Sequence, residues 1–321
     1  MLSLRFFGVR GSHPVADVKM TKYGGNTACV AIFKTNNLGV QVPIIIDAGS
    51  GLIPLGYAMA GKLMANEYSH TFPILFTHLH PDHTEGFNFF TPNFFSSCTL
   101  YLMGMQTLRR HVGHVLKEKM LPPNFPIEYN DLKSQRMHQI LTDSQVIHID
   151  QTGKPVSKTD TPLLTIQIMQ AYAPSHPQQG ALYYRISDPE DGTSIACIWD
   201  IESHIGGDVR VISFSQGADL MIHDAMYTDE EYESRKVPVQ GFGHSTFSMA
   251  IENAEKAEVK YLIPFHYNPR HNDDFIDDIE KKMRGKTSCT FIMSYEGLDL
   301  TLDKGKILEQ RTIRQGFSLG A

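Results

Sequence analysis

The sequence predicts a layered α/β sandwich, and three features carry that expectation. Continuous apolar runs in PIIID and PILFTH suit strands buried on both faces, as in a sheet covered by helices. Polar–apolar alternation marks further strands in LLTIQIMQAYAP, ALYYRISD, TSIACIWDIE and ADLMIHDAMY, separated by turn residues. A helix signal then stands between strands: Ser245 or Thr246 caps FSMAIENAEKAE.

Taken in order, RFFGV, TACVAIF, QVPIIIDAG and TFPILFTHLH read as the opening strands. Residues 87–165 are less regular, with proline-rich LPPNFPIEYNDL and the polar stretch QTGKPVSKTDTP, and read as an insertion beside the functional site. After the four alternating strands and the capped helix, VKYLIPFH is a strand ending at His266. A helix over about 273–283 and a strand in SCTFIMSY follow. No internal repeat marks a solenoid. A chain of 321 residues, 41% hydrophobic, is long enough for one domain over 1–321 that includes the insertion at about 87–165.

The charge balance narrows the partners. A formal net charge of −6 and a pI near 6.2 give no overall footprint for a long polyanion, which favours a small substrate. Arg109, Arg110, Lys117 and Lys119 form the one local basic cluster noted in the insertion, a pattern that usually marks a solvated helix face. The N-terminal stretch MLSLRFFGVRGSHP has no cationic region leading into a long apolar one, and no later run of about 18 apolar residues occurs, so a cytoplasmic protein with no membrane partner is expected. Cys29, Cys98, Cys197 and Cys289 are far apart and form no CxxC pair, which argues against a zinc ribbon or a disulfide framework.

Fifteen histidines are many for this length, and several stand in short motifs near aspartate. His78-Leu79-His80-Pro81-Asp82-His83 fits HxHxDH directly after an apolar strand. Imidazole and carboxylate suit Zn, Mn or Fe, and the spacing lets His78 and His80 face one ion while Asp82 and His83 turn toward a second. The bland alternative, a surface loop that happens to be histidine-rich, explains none of the companion blocks.

These blocks resemble the metallo-β-lactamase superfamily, which implies a four-layer αββα sandwich. The resemblance implies a third histidine ligand at His176 in APSHP, a bridging aspartate at Asp200 in SIACIWDIE and a last histidine at His266 in YLIPFHYNP. Asp47, ending PIIID, is similar to the family's aspartate that orients a ligand histidine. FFGVRGSHP, YGGNTACV, IHDAMY and GHST resemble the branch of tRNase Z and cyclic-nucleotide phosphodiesterases, in which a carboxylate block precedes a histidine block. Here these are Asp224, where tRNase Z usually carries glutamate, and His244. His223 beside Asp224 reads as a packed strand residue.

The resemblance implies a phosphodiesterase with two divalent ions, Zn with Mn or Fe as alternatives. Such a pair, about 3.5 to 4 Å apart, activates a water and neutralises developing charge. Asp82, His244 and Asp224 form the expected catalytic set, with His244 protonating the leaving alkoxide and Asp224 holding its ring. Asn26 and Thr27 are candidates to line the substrate pocket, and Arg10 to meet a phosphate or to pair with a core carboxylate. Only 23 residues separate His176 from Asp200, too few for the long arm with which bacterial tRNase Z grips tRNA. A small cyclic phosphodiester, a cyclic nucleotide above all, is therefore the expected substrate, with RNA 3′ processing as the alternative. A glyoxalase II-type thioesterase would lack the GHST block, and a nucleotide sensor without turnover would not need a complete ligand set. Aromatic FNFFTPNFF is hard to leave exposed, so the insertion is expected to act as a lid or as a homodimer contact.

Overall fold

The computed structural model describes residues 1–107, 110–171 and 180–313. Among these, two eight-stranded mixed sheets stack face to face with helices on their outer faces, the four-layer αββα sandwich expected from the sequence.

The first sheet holds β1 (Leu2–Gly8), β2 (Cys29–Thr35), β3 (Gln41–Ile46), β4 (Thr71–Leu75), β5 (Thr99–Gly104) and β6 (Gln135–Ile140). The second holds β7 (Val146–Ile149), β8 (Pro155–Val156), β9 (Leu164–Gln170), β10 (Leu182–Ser187), β11 (Ser194–Ile198), β12 (Leu220–Asp224), β13 (Tyr261–Phe265) and β14 (Thr290–Phe291). Finally β15 (Leu298–Asp303) and β16 (Lys306–Thr312) return to the first sheet, which runs β16-β15-β1-β2-β3-β4-β5-β6; the second runs β14-β13-β12-β11-β10-β9-β7-β8.

Period-two alternation divides the cores. On β1 to β3, Leu2, Leu4, Phe6, Val30, Ile32, Ile44 and Ile46 point between the sheets against β9 and β10 residues such as Ile166, Ile168 and Ile186. The intervening Cys29, Ala31, Phe33 and Ile45 face outward, under α1 (Leu52–Met64) and α2 (Val112–Lys119). The helices α3 (Val209–Ser215), α4 (Asp229–Tyr232), α5 (Phe247–Lys256) and α6 (Asp273–Met283) complete the chain; α5 and α6 pack on the second sheet through Ala250, Ala254, Ile276 and Ile279. Thr246 is the N-cap of α5, its Oγ1 accepting from the Met249 amide.

The segment 87–165 corrects the sequence reading. It is part of the sandwich, supplying β5 and β6 to the first sheet and β7 and β8 to the second, with α2 between. Its strands escape a pattern search because β6 is an outer strand whose residues QRMHQI are largely exposed, so no buried alternation is written there. The expected strand in SCTFIMSY likewise shrinks to Thr290–Phe291 at the opposite edge.

What matters for function is direction. β3, β4 and β5 run parallel, as do β11, β12 and β13, so the carboxyl ends of both sets emerge along one rim of the sandwich. Ligand sites in open α/β sheets form at such ends.

Candidate active site

Each chemical residue sits just beyond a strand. Asp47 follows β3, the His78–His83 loop follows β4, Asp200 follows β11, Asp224 ends β12 and His266 follows β13. Asp47, Asp200 and His266 have φ of 61°, 57° and 65°, the left-handed region that costs a residue with a side chain about 1–3 kcal/mol. Three such turns at one rim aim the side chains inward rather than continuing the pleat.

The side chains converge. His83 Nε2 lies 3.3 Å from His266 Nε2, 3.3 Å from Asp82 Oδ2 and 3.3 Å from Asp200 Oδ1. His266 Nε2 is in turn 3.3 Å from both Asp82 Oδ2 and Asp200 Oδ1. On the other side of Asp200, its Oδ2 stands 3.4 Å from His78 Nε2, and His80 sets its ring edge-on to His78 with centroids 4.4 Å apart. Asp200 therefore offers one oxygen to each side. His176 lies outside the described residues.

This donor set fits a cation. His83 directs Nδ1 to Asp47 Oδ2 at 2.8 Å, which makes its Nε2 a lone pair in the neutral ring. That lone pair faces two carboxylate oxygens and a second imidazole nitrogen, all buried, and mutual repulsion of acceptors is what a divalent ion relieves. Within the described residues, donor atoms of His78, His83 and Asp200, of Asp82, His83 and His266, and of Asp200, His244 and His266 lie within 4.8 Å of one another. The neighbouring groups act strongly on one another: burial disfavours the charged forms, yet Asp200 stays well below the usual carboxylate range through His266, His83 and His78. Asp82 is likewise held low by His83 and His266. Burial pushes His78 well down, while on His83 the carboxylates of Asp200, Asp82 and Asp47 override burial and raise it.

Asp47 is a fully engaged carboxylate. Besides His83, it accepts from the Thr77 amide and hydroxyl at 2.8 Å each and from Trp199 Nε1 at 2.7 Å. Trp199, the chain's single tryptophan, thus links the strand that bears Asp200 to the one that ends at Asp47.

Beside this cluster stands a second pair. His244 Nδ1 is 2.8 Å from Asp224 Oδ2, and its ring stacks on His266 at 4.9 Å between centroids. Asp224 also accepts from the amides of Asp200, Met226 and Ser245. On His244 the charge of Asp224 outweighs burial and raises the pKa, which favours the imidazolium. His223 points away, its Nδ1 to the Asp224 carbonyl and Nε2 to Asn253, the packed strand residue expected.

The expected substrate-binding residues hydrogen-bond to groups of the protein itself. Arg10 is fully buried and donates to the carbonyls of Gly24, Asn268 and His271, because its long side chain threads between loops and knits their backbones together. Among the described residues no carboxylate accepts a direct hydrogen bond from it. Thr27 is also fully buried, bonded to Ser50 and Glu85, and the Asn26 amide is taken up by Glu296 and Ser50. Three contributors were not singled out from the sequence. The Ser12 amide donates to Asp82 Oδ2 at 2.7 Å; a Cβ on Gly11 would stand 2.3 Å from the His266 ring, so the glycine of VRGS admits that ring; and Glu202 holds the loop before His244. The glycine-flanked spelling of VRGSHP and GFGHST was the available signal for a close backbone approach.

Comparison with known proteins agrees with this geometry. The chain is 27% identical over 249 residues to Ribonuclease Z of Sulfurisphaera tokodaii, covering 68% of this chain and 78% of that protein. Among solved structures, the metallo-β-lactamase fold protein YhfI from Bacillus subtilis superposes with a TM-score of 0.60 at 14% identity, covering 93% of this chain and 98% of that one. The short form of human tRNase Z superposes with a TM-score of 0.57 at 17% identity, covering 93% and 98%. No helix among the described residues is long and apolar enough to cross a membrane. The family model described as Beta-lactamase superfamily domain matches residues 44–267, which include all the strand ends named above, and the chain therefore belongs to that superfamily as a metal-dependent hydrolase of the tRNase Z-like branch.

Proposed function

We propose that this hydrolase is a dinuclear phosphodiesterase that opens a small cyclic phosphodiester, with cyclic nucleotides as the substrate class. The observation that carries the reading is the Asp224–His244 pair standing 2.8 Å from each other against the ring of His266. A thioester expels a weakly basic thiolate that needs little help, whereas an alkoxide leaving from phosphorus is strongly basic and gains about 10² to 10⁴ in rate from a positioned acid. The ribonuclease Z relatives also act on phosphodiesters by name, which supports the bond type.

In this reading His78, His80 and Asp200, with His176 as the sequence resemblance implies, would hold one ion, and Asp82, His83, His266 and Asp200 would hold the other. Two bound divalent ions, Zn or in its place Mn or Fe, would supply Lewis acidity and a water acidified toward neutral pH. The chain's own residues do the rest. The Ser12 amide and the His83 contact fix the orientation of Asp82. Asp47 fixes the His83 tautomer, and Asp224 keeps His244 protonated until it gives its proton to the departing ester oxygen.

A small substrate is favoured by the net charge of −6 and by the tight connection between β10 and β11, where residues 188–193 turn without a projecting arm. The ribonuclease Z relatives favour RNA 3′ processing as the second reading. A panel of 3′,5′- and 2′,3′-cyclic nucleotides, cyclic dinucleotides, bis(p-nitrophenyl) phosphate and precursor tRNA, run with Zn and with Mn, separates them; cleavage of precursor tRNA alone would refute the cyclic substrate. A homodimer belongs to the same proposal because Phe89 and Phe94 remain exposed at 53% and 40%, and a monomer by light scattering would remove it.

A further inference from the structure

The basic residues on and just before α2 do not behave alike. Arg110 pairs with Glu118 at 2.7 Å on the exposed side, and Lys117 projects into solvent, as a solvated face does. Lys119, at the last turn of the same helix, folds inward and is only partly exposed. Its ammonium donates to the Thr84 hydroxyl, which itself donates to the His80 carbonyl at 2.8 Å. A cation thus stands two hydrogen bonds from the backbone of a residue in the metal-binding loop.

What it lacks there is a counter-ion. Among the described residues no carboxylate lies within ion-pair distance of Lys119, and Thr84 satisfies one of its three N–H donors with a neutral oxygen. Glu85 is close enough to be felt, but its Oε1 is engaged by Thr27 Oγ1 at 2.8 Å. Burying an ammonium without a partner costs free energy, and burial accordingly lowers the pKa of Lys119 against the pull of Glu85 and Asp82. A helix that brings such a charge to the rim of a site for an anionic ester supplies the missing half of an ion pair.

We propose that Lys119 binds the substrate phosphate, its ammonium donating to a non-ester oxygen at the rim of the metal centre beside His80. The assignment rests on the phosphodiesterase reading and makes the segment 87–165 a contributor to the active site. It also gives specificity: an anionic phosphate gains from Lys119, while a neutral thioester or lactam carbonyl does not.

The test compares the metal-loaded full chain with Lys119→Gln, Lys119→Met and Lys119→Arg. Elemental analysis reads metal content, calorimetric titration with inorganic phosphate reads anion affinity, and bis(p-nitrophenyl) phosphate gives KM and kcat. The neutral variants are expected to keep the wild-type metal content, to bind phosphate about tenfold more weakly and to raise KM by a similar factor with kcat held within about threefold. Lys119→Arg should restore most of the affinity. Lys119→Met keeps the apolar stem and serves if Lys119→Gln is unstable. Unchanged phosphate affinity in both neutral variants would overturn the proposal, as would loss of metal, which would make Lys119 a prop for the loop through Thr84. Should the wild-type chain cleave no phosphodiester at all, the phosphodiesterase reading falls, and the phosphate titration alone still decides whether Lys119 binds the anion.

Discussion

The carboxylate of Asp47 meets Nδ1 of His83 at 2.8 Å from a backbone held at φ 61°. That contact decides which nitrogen of His83 faces the centre, since a carboxylate accepts and so fixes the proton on Nδ1. Replacing the acceptor-only group by an amide, as in Asp47→Asn, admits the wrong tautomer and leaves either the Thr77 amide or Trp199 Nε1 facing an NH₂. Metal affinity should fall about 10- to 100-fold with the fold retained, read by chelator competition followed by circular dichroism.

Asp200 and His244 should separate binding from turnover. Asp200 presents one oxygen to His78 and the other to His83 and His266, so Asp200→Ala is expected to lose bound metal altogether. His244→Ala removes a proton donor while Asp82, His83 and His266 stay in place, and should keep metal but lose about 10² to 10⁴ in kcat. Full metal retention by the Asp200 variant in elemental analysis would contradict its bridging position.

The sequence made the rim legible because its residues close apolar strands, where a buried β pattern ends on a polar side chain with little other reason to be there. Asp47, His78, Asp200 and His266 all carry that signature. The strands of 87–165 lacked it: Gln135–Ile140 lies at a sheet edge and is spelled with polar residues that no core selects. The partners of Arg10 were illegible for a different reason. Its acceptors are carbonyls of residues 24, 268 and 271, and backbone acceptors leave no trace in side-chain identity. Lys119 looked like its neighbours because helical spacing says which side chains share a face and not where a flexible stem ends.

The pH profile tests the Asp224–His244 pair. The proposed role requires His244 to be protonated, and the Asp224 charge raises its pKa against the opposing effect of burial. In Asp224→Asn burial prevails, the imidazolium loses its proton at lower pH, and the alkaline limb of kcat/KM shifts toward acid. An alkaline limb that stays in place in Asp224→Asn would remove His244 as the acid.

Glu202 clamps the loop that delivers His244. Its Oε1 accepts from the Gly241 amide and the Tyr232 hydroxyl, both at 2.7 Å, and its Oε2 from the Gly243 amide at 2.9 Å. Three donors on one carboxylate leave no room for an NH₂, so Glu202→Gln should free the loop. We expect kcat to fall about tenfold with metal content unchanged, and amide exchange at Gly241 and Gly243 to accelerate. Unaltered exchange at those two amides would show that the clamp is dispensable.

Lys34 and Asp188 tie the two sheets together far from the chemistry. The ammonium at the end of β2 meets the carboxylate just beyond β10 at 2.7 Å, and both side chains are buried, with 6% and 0% exposure. Glu190 also reaches Lys34 at 2.7 Å, but it is exposed and adds little. Lys34→Met leaves the buried Asp188 carboxylate only the N-terminal ammonium of Met1, at 3.8 Å, and should cost up to about 3–5 kcal/mol in urea denaturation. The double variant Lys34→Met with Asp188→Leu removes both charges, and should recover most of that loss because the penalty comes from the orphaned carboxylate rather than from a missing attraction. A single variant as stable as the wild type would mean that water already reaches Asp188.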